Sequence, residues 1–233
     1  MNEVSLGRTQ GIALAFLAGY VDTLGFLALF GLFTAHVTGN FILIGAALAD
    51  PSHSSVLLKL LAFPAFIAGV AAARVLAVVV EKRGGAVLRL AFLLELALLA
   101  GSMAFGIAAA PIGDSADALA MTAGLLAALA MGAHSATSRL CLGHLAPTSM
   151  MTGNVTQIVI DLVDLLRGAD DPGLRKRFAK FFWPLLGFAA GCIAAAFGFH
   201  WFGFAALAVP LLILLGLVVV ESPVAGQAQA KAS

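Results

Sequence analysis

Six apolar stretches, each about long enough to cross a lipid bilayer, constrain the fold of this chain more than any other feature. They cover residues 11–33, 57–80, 86–110, 117–138, 180–200 and 201–220. A spanning helix needs about 20 mostly apolar residues. Over the whole chain 61% of residues are hydrophobic and 11% are charged, so a soluble fold of this length could not bury its apolar surface. The sequence therefore predicts an all-α polytopic protein embedded in the lipid bilayer.

Two shorter segments, 38–49 and 152–166, decide the predicted topology because they are apolar or amphipathic but too short to cross comfortably. If neither crosses and the N-terminus is cytoplasmic, the basic clusters at 81–83 and 175–180 both fall on the cytoplasmic side, where lysine and arginine gather. If both crossed, the first of these clusters would move outside. We therefore expect six transmembrane helices, two short broken or re-entrant helices, and both termini in the cytoplasm.

A Thr-Gly-Asn tripeptide set inside apolar sequence occurs twice and marks an internal repeat. The two copies consist of Thr38, Gly39 and Asn40 in the first half and Thr152, Gly153 and Asn154 in the second. An upstream glycine, Gly19 or Gly132, precedes the motif glycine by 20 residues in the first half and by 21 in the second. A proline and then a glycine follow each copy: Pro64 and Gly69 in the first half, Pro184 and Gly191 in the second. Three landmarks in the same order indicate two related halves.

The parity of the halves predicts their relative orientation. Each half would contain three spans, and because three is odd the second half would begin on the opposite side of the membrane. That arrangement is an inverted-topology repeat, which is common among secondary transporters. We assign residues 1–113 to the first repeat, 114–221 to the second and 222–233 to a disordered cytoplasmic tail.

These features resemble the bacterial YoaK-like family of six-span inner-membrane proteins, which carry the domain of unknown function 1275. The resemblance rests on the Gly-x-x-Asp sequence that ends at Asp22, the two Thr-Gly-Asn motifs and the Met-Gly pair that starts the second half; it covers about residues 8–221. It implies a multi-pass protein of the bacterial inner (plasma) membrane and little about activity. It also implies an amide pair shortly after Gly132, where this chain has His134 and Ser135 instead.

Each Thr-Gly-Asn motif predicts a broken helix that restarts there, because Thr and Asn cap helices and Gly permits unusual backbone angles. Broken backbone at membrane depth is tolerated only inside protein or beside a cavity, and a helix start offers donors to an anion or a carbonyl. The favoured hypothesis is a secondary transporter or permease for a small solute, with anions among the candidates. Its central site would comprise Asp22, Thr38, Gly39, Asn40, His134, Ser135, Thr152, Gly153 and Asn154. Tight helix packing without a ligand is the alternative interpretation of the motifs.

Four ionisable side chains in or beside the apolar stretches should each have a partner or a function. Asp22 could relay protons, bind a cation or hold the backbone of the first motif in shape. Arg74 and Glu95 lie at equal distances from the glycine turn between the second and third spans, which predicts a buried ion pair; ion coupling by Glu95 or anion binding by Arg74 is the alternative. His36 could accept a proton near neutral pH. The expected coupling ion is H⁺ or Na⁺.

Several classes of function are not indicated by the sequence. It has no zinc-ligand spacing and no P-loop or Rossmann glycine pattern, so we expect no metal, no cofactor, no catalytic residue and no enzymatic activity. A net charge of +1 gives no basic footprint for nucleic acid. The alternative function is a non-transporting membrane scaffold or a subunit of a larger membrane complex, and a homodimer is one candidate assembly.

Overall fold

The computed structural model describes residues 3–49, 56–113, 117–169 and 171–221 of the chain. These residues form eight α-helices and one short 3₁₀ helix, with no strand among them. The α-helices are α1 Glu3–Ala28, α2 Gly39–Ala49, α3 Val56–Lys82, α4 Val87–Ala109, α5 Ala118–Cys141, α6 Met151–Leu166, α7 Leu174–Phe202 and α8 Ala208–Val220. The predicted all-α membrane architecture is confirmed. The predicted tail at 222–233 lies outside the described residues.

Five helical stretches in the described part of the chain are long and apolar enough to cross a membrane. Four correspond to α1, α3, α4 and α5, and the fifth runs over 47 residues from Leu174 to Val220. This long stretch is interrupted at Gly203, whose φ of +55° favours glycine. The break falls close to the boundary that the sequence predicts between the last two spans. A count of six spans stays a prediction.

Contacts near the chain ends show that α8 returns to the end of the bundle where α7 begins. Gln10 near the start of α1 donates to Glu221, which follows α8, over 3.5 Å. Gly11 of α1 lies beside Pro184 in the first part of α7. The 3₁₀ helix Gly203–Leu207 thus forms the turn of a helical hairpin.

The two short helices begin at the Thr-Gly-Asn motifs, as the sequence predicts. With 11 residues in α2 and 16 in α6, they measure about 16 Å and 24 Å at the usual helical rise. Both are shorter than the roughly 30 Å hydrocarbon core. The amphipathic α6 packs on α7, where Nε of Arg177 donates to the fully buried carboxylate of Asp161 over 2.9 Å.

The first helix packs mainly against α7 of the other half, and the two cross at a pair of glycines. A Cβ added to Gly19 would overlap the carbonyl oxygen of Phe188. In return, a Cβ added to Gly191 would overlap the carbonyl oxygen of Phe16. Each glycine therefore lies against the carbonyl three residues before its partner, and only glycine permits backbones to approach this closely.

The contact between α3 and α5 repeats this arrangement with the corresponding glycines. Gly69 of α3 lies against the carbonyl of Leu129, and Gly132 of α5 lies against the carbonyl of Phe66. The three-residue offset is again present on both sides. Each half therefore contributes its first helix to one glycine crossing and its third to the other, so the repeat in the sequence has a counterpart in the packing.

The first helices of the two halves run in opposite directions. Gly7, near the start of α1, lies beside Leu145, just after the end of α5. Leu29, just after the end of α1, lies beside Gly124, near the start of α5. Because each end of one helix meets the opposite end of the other, α1 and α5 are antiparallel.

Candidate functional site

The loop between α1 and α2 is held by the carboxylate of Asp22, which is only 5% exposed. Its Oδ1 accepts the backbone N–H groups of Thr34 and Ala35 over 2.7 and 2.8 Å, and the Thr34 hydroxyl over 3.2 Å. A carboxylate buried among apolar helices is stable only with such donors. Of the roles expected for Asp22, the structure shows the one that keeps the loop in shape.

The side chain of Asn40 completes this loop. Its Nδ2 donates to the carbonyl of Phe33 over 2.8 Å, and its Oδ1 accepts the N–H of Phe33 over 2.9 Å. The amide therefore pairs with the backbone as another peptide group would. With a 1% exposed side chain, Asn40 has a structural function and is not placed to contact a solute.

The backbone donors at the start of α2 are also occupied. The N–H groups of Gly39, Asn40 and Phe41 each donate to the carbonyl three residues earlier, over 2.8, 3.2 and 3.2 Å. An anion at this helix start would have to displace those bonds. The structure therefore lacks the free donors that the sequence led us to expect at this motif.

An ion pair between Asp22 and His36 forms part of the wall of a cavity. Nδ1 of His36 lies 2.6 Å from Oδ2 of Asp22, and the histidine side chain is 33% exposed. The cavity of about 870 Å³ is also lined by Thr38, Gly39 and apolar side chains that include Phe188. Nε2 of His36 has no hydrogen-bond partner among the described residues. It is therefore free to interact with a solute.

His36 lies in the loop, outside the spanning helices, and its pKa is raised above the ordinary value of 6.5. The hydrogen bond to Asp22 is the largest cause, and the negative charge of the same carboxylate adds to it, while burial opposes both. The raised pKa favours an imidazolium that donates from Nδ1 to Asp22 and presents a second N–H from Nε2.

A second carboxylate–imidazole pair joins the two halves, since the carboxylate belongs to α4 of the first half and the imidazole to α5 of the second. Nδ1 of His134 lies 2.9 Å from Oε1 of Glu95, and its Nε2 lies 2.9 Å from the hydroxyl of Thr148. All three side chains are buried. Oε2 of Glu95 has no hydrogen-bond partner within the described ranges.

The predicted ion pair between Arg74 and Glu95 is wrong. Arg74 is exposed on α3, and the side chain that contacts the Glu95 carboxylate is His134. Equal depth on consecutive helices does not make two side chains face each other, because the rotation of each helix is set by its packing. Here α4 packs chiefly on α5, and the Ser102 hydroxyl donates to the carbonyl of Ala123 across that contact.

The second Thr-Gly-Asn motif closes its loop in the same way as the first, but with fewer bonds. Nδ2 of Asn154 donates to the carbonyl of Pro147 over 2.8 Å and lies 3.3 Å from Sδ of Met151. Thr152 and Gly153 are exposed on the first turn of α6. The side chain of Asn154 is thus bound to the fold, like that of Asn40.

The structure does not bring all the predicted site residues into one cavity. Asp22, His36, Thr38 and Gly39 line the cavity described above. Ser135 lines a different one of about 380 Å³, and the two share no lining residue. Among the described residues, no three His, Cys, Asp or Glu side chains are grouped so as to hold a metal ion.

Three polar residues of these loops escaped the sequence analysis. Thr34 and Thr148 each stand six residues before the motif asparagine and bond to the ionisable side chain of the preceding span, so extending the repeat alignment upstream would have found them. Lys59 is 2% exposed and donates from Nζ to the carbonyl of Phe30. In the sequence, the feature that points to Lys59 is that it is a single lysine among the apolar residues at the start of α3.

Comparisons with known proteins place the chain in a family. The family model described as "Protein of unknown function (DUF1275)" matches residues 10–220. The chain is 37% identical over 70 residues to the UPF0700 transmembrane protein YoaK of Bacillus subtilis (strain 168), which is 30% of this chain and 31% of that protein. The matched region thus spans about a third of that relative's length. No solved structure matches the chain significantly. With a family model that matches nearly its whole length and helices apolar enough to cross a membrane, the chain is a membrane protein that belongs to the DUF1275 family.

Proposed function

We propose that this protein is a permease or secondary transporter for a small solute, and that the cavity beside Asp22 and His36 is its solute site. The observation that carries the proposal is the carboxylate–imidazole pair in the wall of a cavity of about 870 Å³ between apolar helices. Ionisable residues at membrane depth commonly mark solute or ion pathways. A cavity of this size falls in the range of small-molecule sites.

The chemistry of the cavity favours a solute that carries a carbonyl or a carboxylate. The Oδ1 and Oδ2 atoms of Asp22 are both engaged, and Asn40 is bound to the backbone. Nε2 of His36 donates a hydrogen bond when the imidazole is protonated, and Thr23 and Thr38 add hydroxyl groups to the lining. The rest of the wall is mainly apolar, so a few polar contacts would orient a largely apolar solute.

Protons are the favoured coupling ion in this proposal. One imidazole of each half, His36 and His134, bonds to a carboxylate, and imidazole is the side chain that takes up and releases protons near neutral pH. Proton uptake at His36 would then change the charge beside the solute.

Alternating access of two inverted repeats is the mechanism we propose. The reciprocal glycine crossings and the antiparallel course of α1 and α5 support an inverted pair. The orientation would place both termini in the cytoplasm of a bacterial cell, because α1 and α7 begin with basic residues at the same end of the bundle. The glycine crossings would then be the contacts along which the halves move.

A ligand screen on purified protein in lipid nanodiscs tests the solute site. A small carboxylate or carbonyl metabolite should raise the thermal unfolding midpoint of the wild type. The variants Asp22→Asn and His36→Gln should lose this shift, while His200→Gln, at an exposed histidine at the end of α7, should keep it. Proteoliposomes should then take up that metabolite along a proton gradient. Uptake that is unchanged in Asp22→Asn and His36→Gln would overturn the assignment of the site.

A non-transporting scaffold or subunit is the second candidate function, and Arg74 is the observation that favours it. Arg74 is exposed on α3 within the otherwise apolar stretch 60–80, and an arginine inside a span is costly when it faces lipid. A second copy or another membrane protein that covers this face would remove that cost. Under this function, a stoichiometric partner should co-purify with the wild type and dissociate from Arg74→Ala.

A further inference from the structure

A second cavity, of about 740 Å³, lies at the end of the bundle where α1 and α7 begin. It is separate from the cavity beside Asp22 and shares no lining residue with it. Its polar wall consists of Arg8, His144, Lys176 and Lys180. Three helical or loop segments supply these side chains, so the fold gathers them from distant parts of the chain.

The positive charges in this wall are not compensated by the rest of the described protein. No Asp or Glu lines the cavity, and Arg8, Lys176 and Lys180 form no ion pair with a described carboxylate. The neighbouring Arg177 shows the contrast, since its guanidinium bonds to Asp161 and to Asp171. An uncompensated group of cations attracts an anion from outside the chain.

The rest of the cavity is apolar. Gly7, Gly11, Leu145, Ala146, Ala179 and Pro184 complete its lining. The guanidinium of Arg8 lies over the ring of Trp183, 5.7 Å from its centroid, and tryptophan is enriched at the level of lipid headgroups. A cavity lined by both basic and apolar residues matches a molecule with an anionic head and a hydrocarbon tail.

We propose that this cavity binds the phosphate of an anionic phospholipid headgroup. Arg8, Lys176 and Lys180 surround the phosphate, and the first part of an acyl chain lies against Leu145 and Pro184. Basic pockets between membrane helices bind such headgroups in this manner. Lipid binding at this site does not depend on solute transport. A negative result for one proposal therefore leaves the other, at the cavity beside Asp22, unaffected.

Titration of delipidated protein in neutral detergent with phosphatidylglycerol, followed by thermal unfolding and native mass spectrometry, tests this site. Each cation near an anionic lipid contributes about fivefold in affinity. The Arg8→Gln/Lys180→Gln variant should therefore bind phosphatidylglycerol about 25-fold more weakly. The matched control Lys82→Gln/Arg83→Gln removes two exposed cations at the end of α3 and should leave the affinity unchanged.

Three further arms distinguish the source of the phosphate. Phosphatidylcholine with the same acyl chains should bind at least about tenfold more weakly than phosphatidylglycerol, and inorganic phosphate or glycerol 3-phosphate should produce no shift at millimolar concentration. Equal binding of the two lipids, or unchanged binding in the double variant, would overturn the proposal. Binding of free phosphate as tight as that of the lipid would replace the lipid with a soluble anion. Should the double variant fail to fold, the single variant Lys176→Gln gives the same test at an exposed side chain.

Discussion

In the first half of the molecule the loop before the Thr-Gly-Asn motif closes on a carboxylate, whereas in the second half it closes on an imidazole. Thr34 bonds to Asp22 of α1, and Thr148 bonds to His134 of α5. Both threonines stand six residues before the motif asparagine. The threonines that hold each loop are thus equivalent in the two halves, while the ionisable groups that they bond differ in type and stand three residues after Gly19 and two after Gly132.

The hydrogen bonds of the two motif asparagines can be compared in the same way. Asn40 and Asn154 each donate to the carbonyl seven residues earlier. Asn40 also accepts the N–H of Phe33, but Pro147 has no N–H to offer Asn154. The shared bond indicates that the main role of the motif is to close a loop. Any further role of the motif depends on the residues around it.

The carboxylate–imidazole pairs near the two motifs differ chiefly in how exposed their side chains are. The pair of Asp22 and His36 opens onto a cavity, while Glu95 and His134 are sealed among helices. The imidazole of the first half therefore lines a cavity, whereas that of the second half lies inside the bundle. The same two side-chain types thus form an open pair within the first half and a buried pair between the two halves.

Substitution of the two asparagines should have the largest effect and should separate the two loops. Asn40→Ala leaves the N–H and the carbonyl of Phe33 unpaired and should cost about 2–6 kcal/mol of stability, since each unsatisfied group costs about 1–3 kcal/mol. Asn154→Ala leaves one carbonyl unpaired and should cost about half as much. Unfolding of both variants in mixed micelles measures the difference. Equal losses would show that the second bond of Asn40 contributes nothing.

The pH dependence of stability should distinguish the open pair from the rest of the molecule. Because the pKa of His36 is raised in the folded protein, the stability that its proton contributes is fully present below the unfolded value of about 6.5 and is lost as pH rises through the folded pKa. The thermal unfolding midpoint of the wild type should fall over that window. His36→Gln should flatten this part of the profile, and His200→Gln should leave it as in the wild type. A profile that is identical in His36→Gln would contradict the shift.

Removal of Arg74 should have the smallest effect on the folded monomer. Because Glu95 bonds to His134, Arg74→Gln breaks no ion pair among the described residues and should not lower the free energy of unfolding, since an arginine that faces lipid is itself costly. His134→Gln is the matched comparison, since it disturbs the buried bond to Glu95 and should destabilise the protein clearly more. A large loss of unfolding free energy in Arg74→Gln, measured on the monomer, would support the ion pair with Glu95 that the sequence predicts.

Whether a structural feature of this protein can be predicted from its sequence depends on the kind of information that the feature requires. The spans and short helices follow from the lengths of apolar runs, and the helix starts at Gly39 and Met151 follow from the motif itself. The partner of Glu95 could not be read in this way, because it depends on how α4 and α5 are rotated about their axes. Nor does the sequence show that Asn40 turns inward to the backbone, since an amide suits a loop and a ligand equally well.

The glycine crossings have a consequence for the order in which the protein is made. Gly19 and Gly191 meet although 172 residues separate them, whereas Gly69 and Gly132 are 63 residues apart. At a synthesis rate of about 5–20 residues per second, α1 is made roughly 10–35 s before its partner surface on α7 exists. Over that interval α3 and α5 can already associate. Of the four helices in these crossings, α1 is thus the one that must wait longest in the membrane for its packing partner.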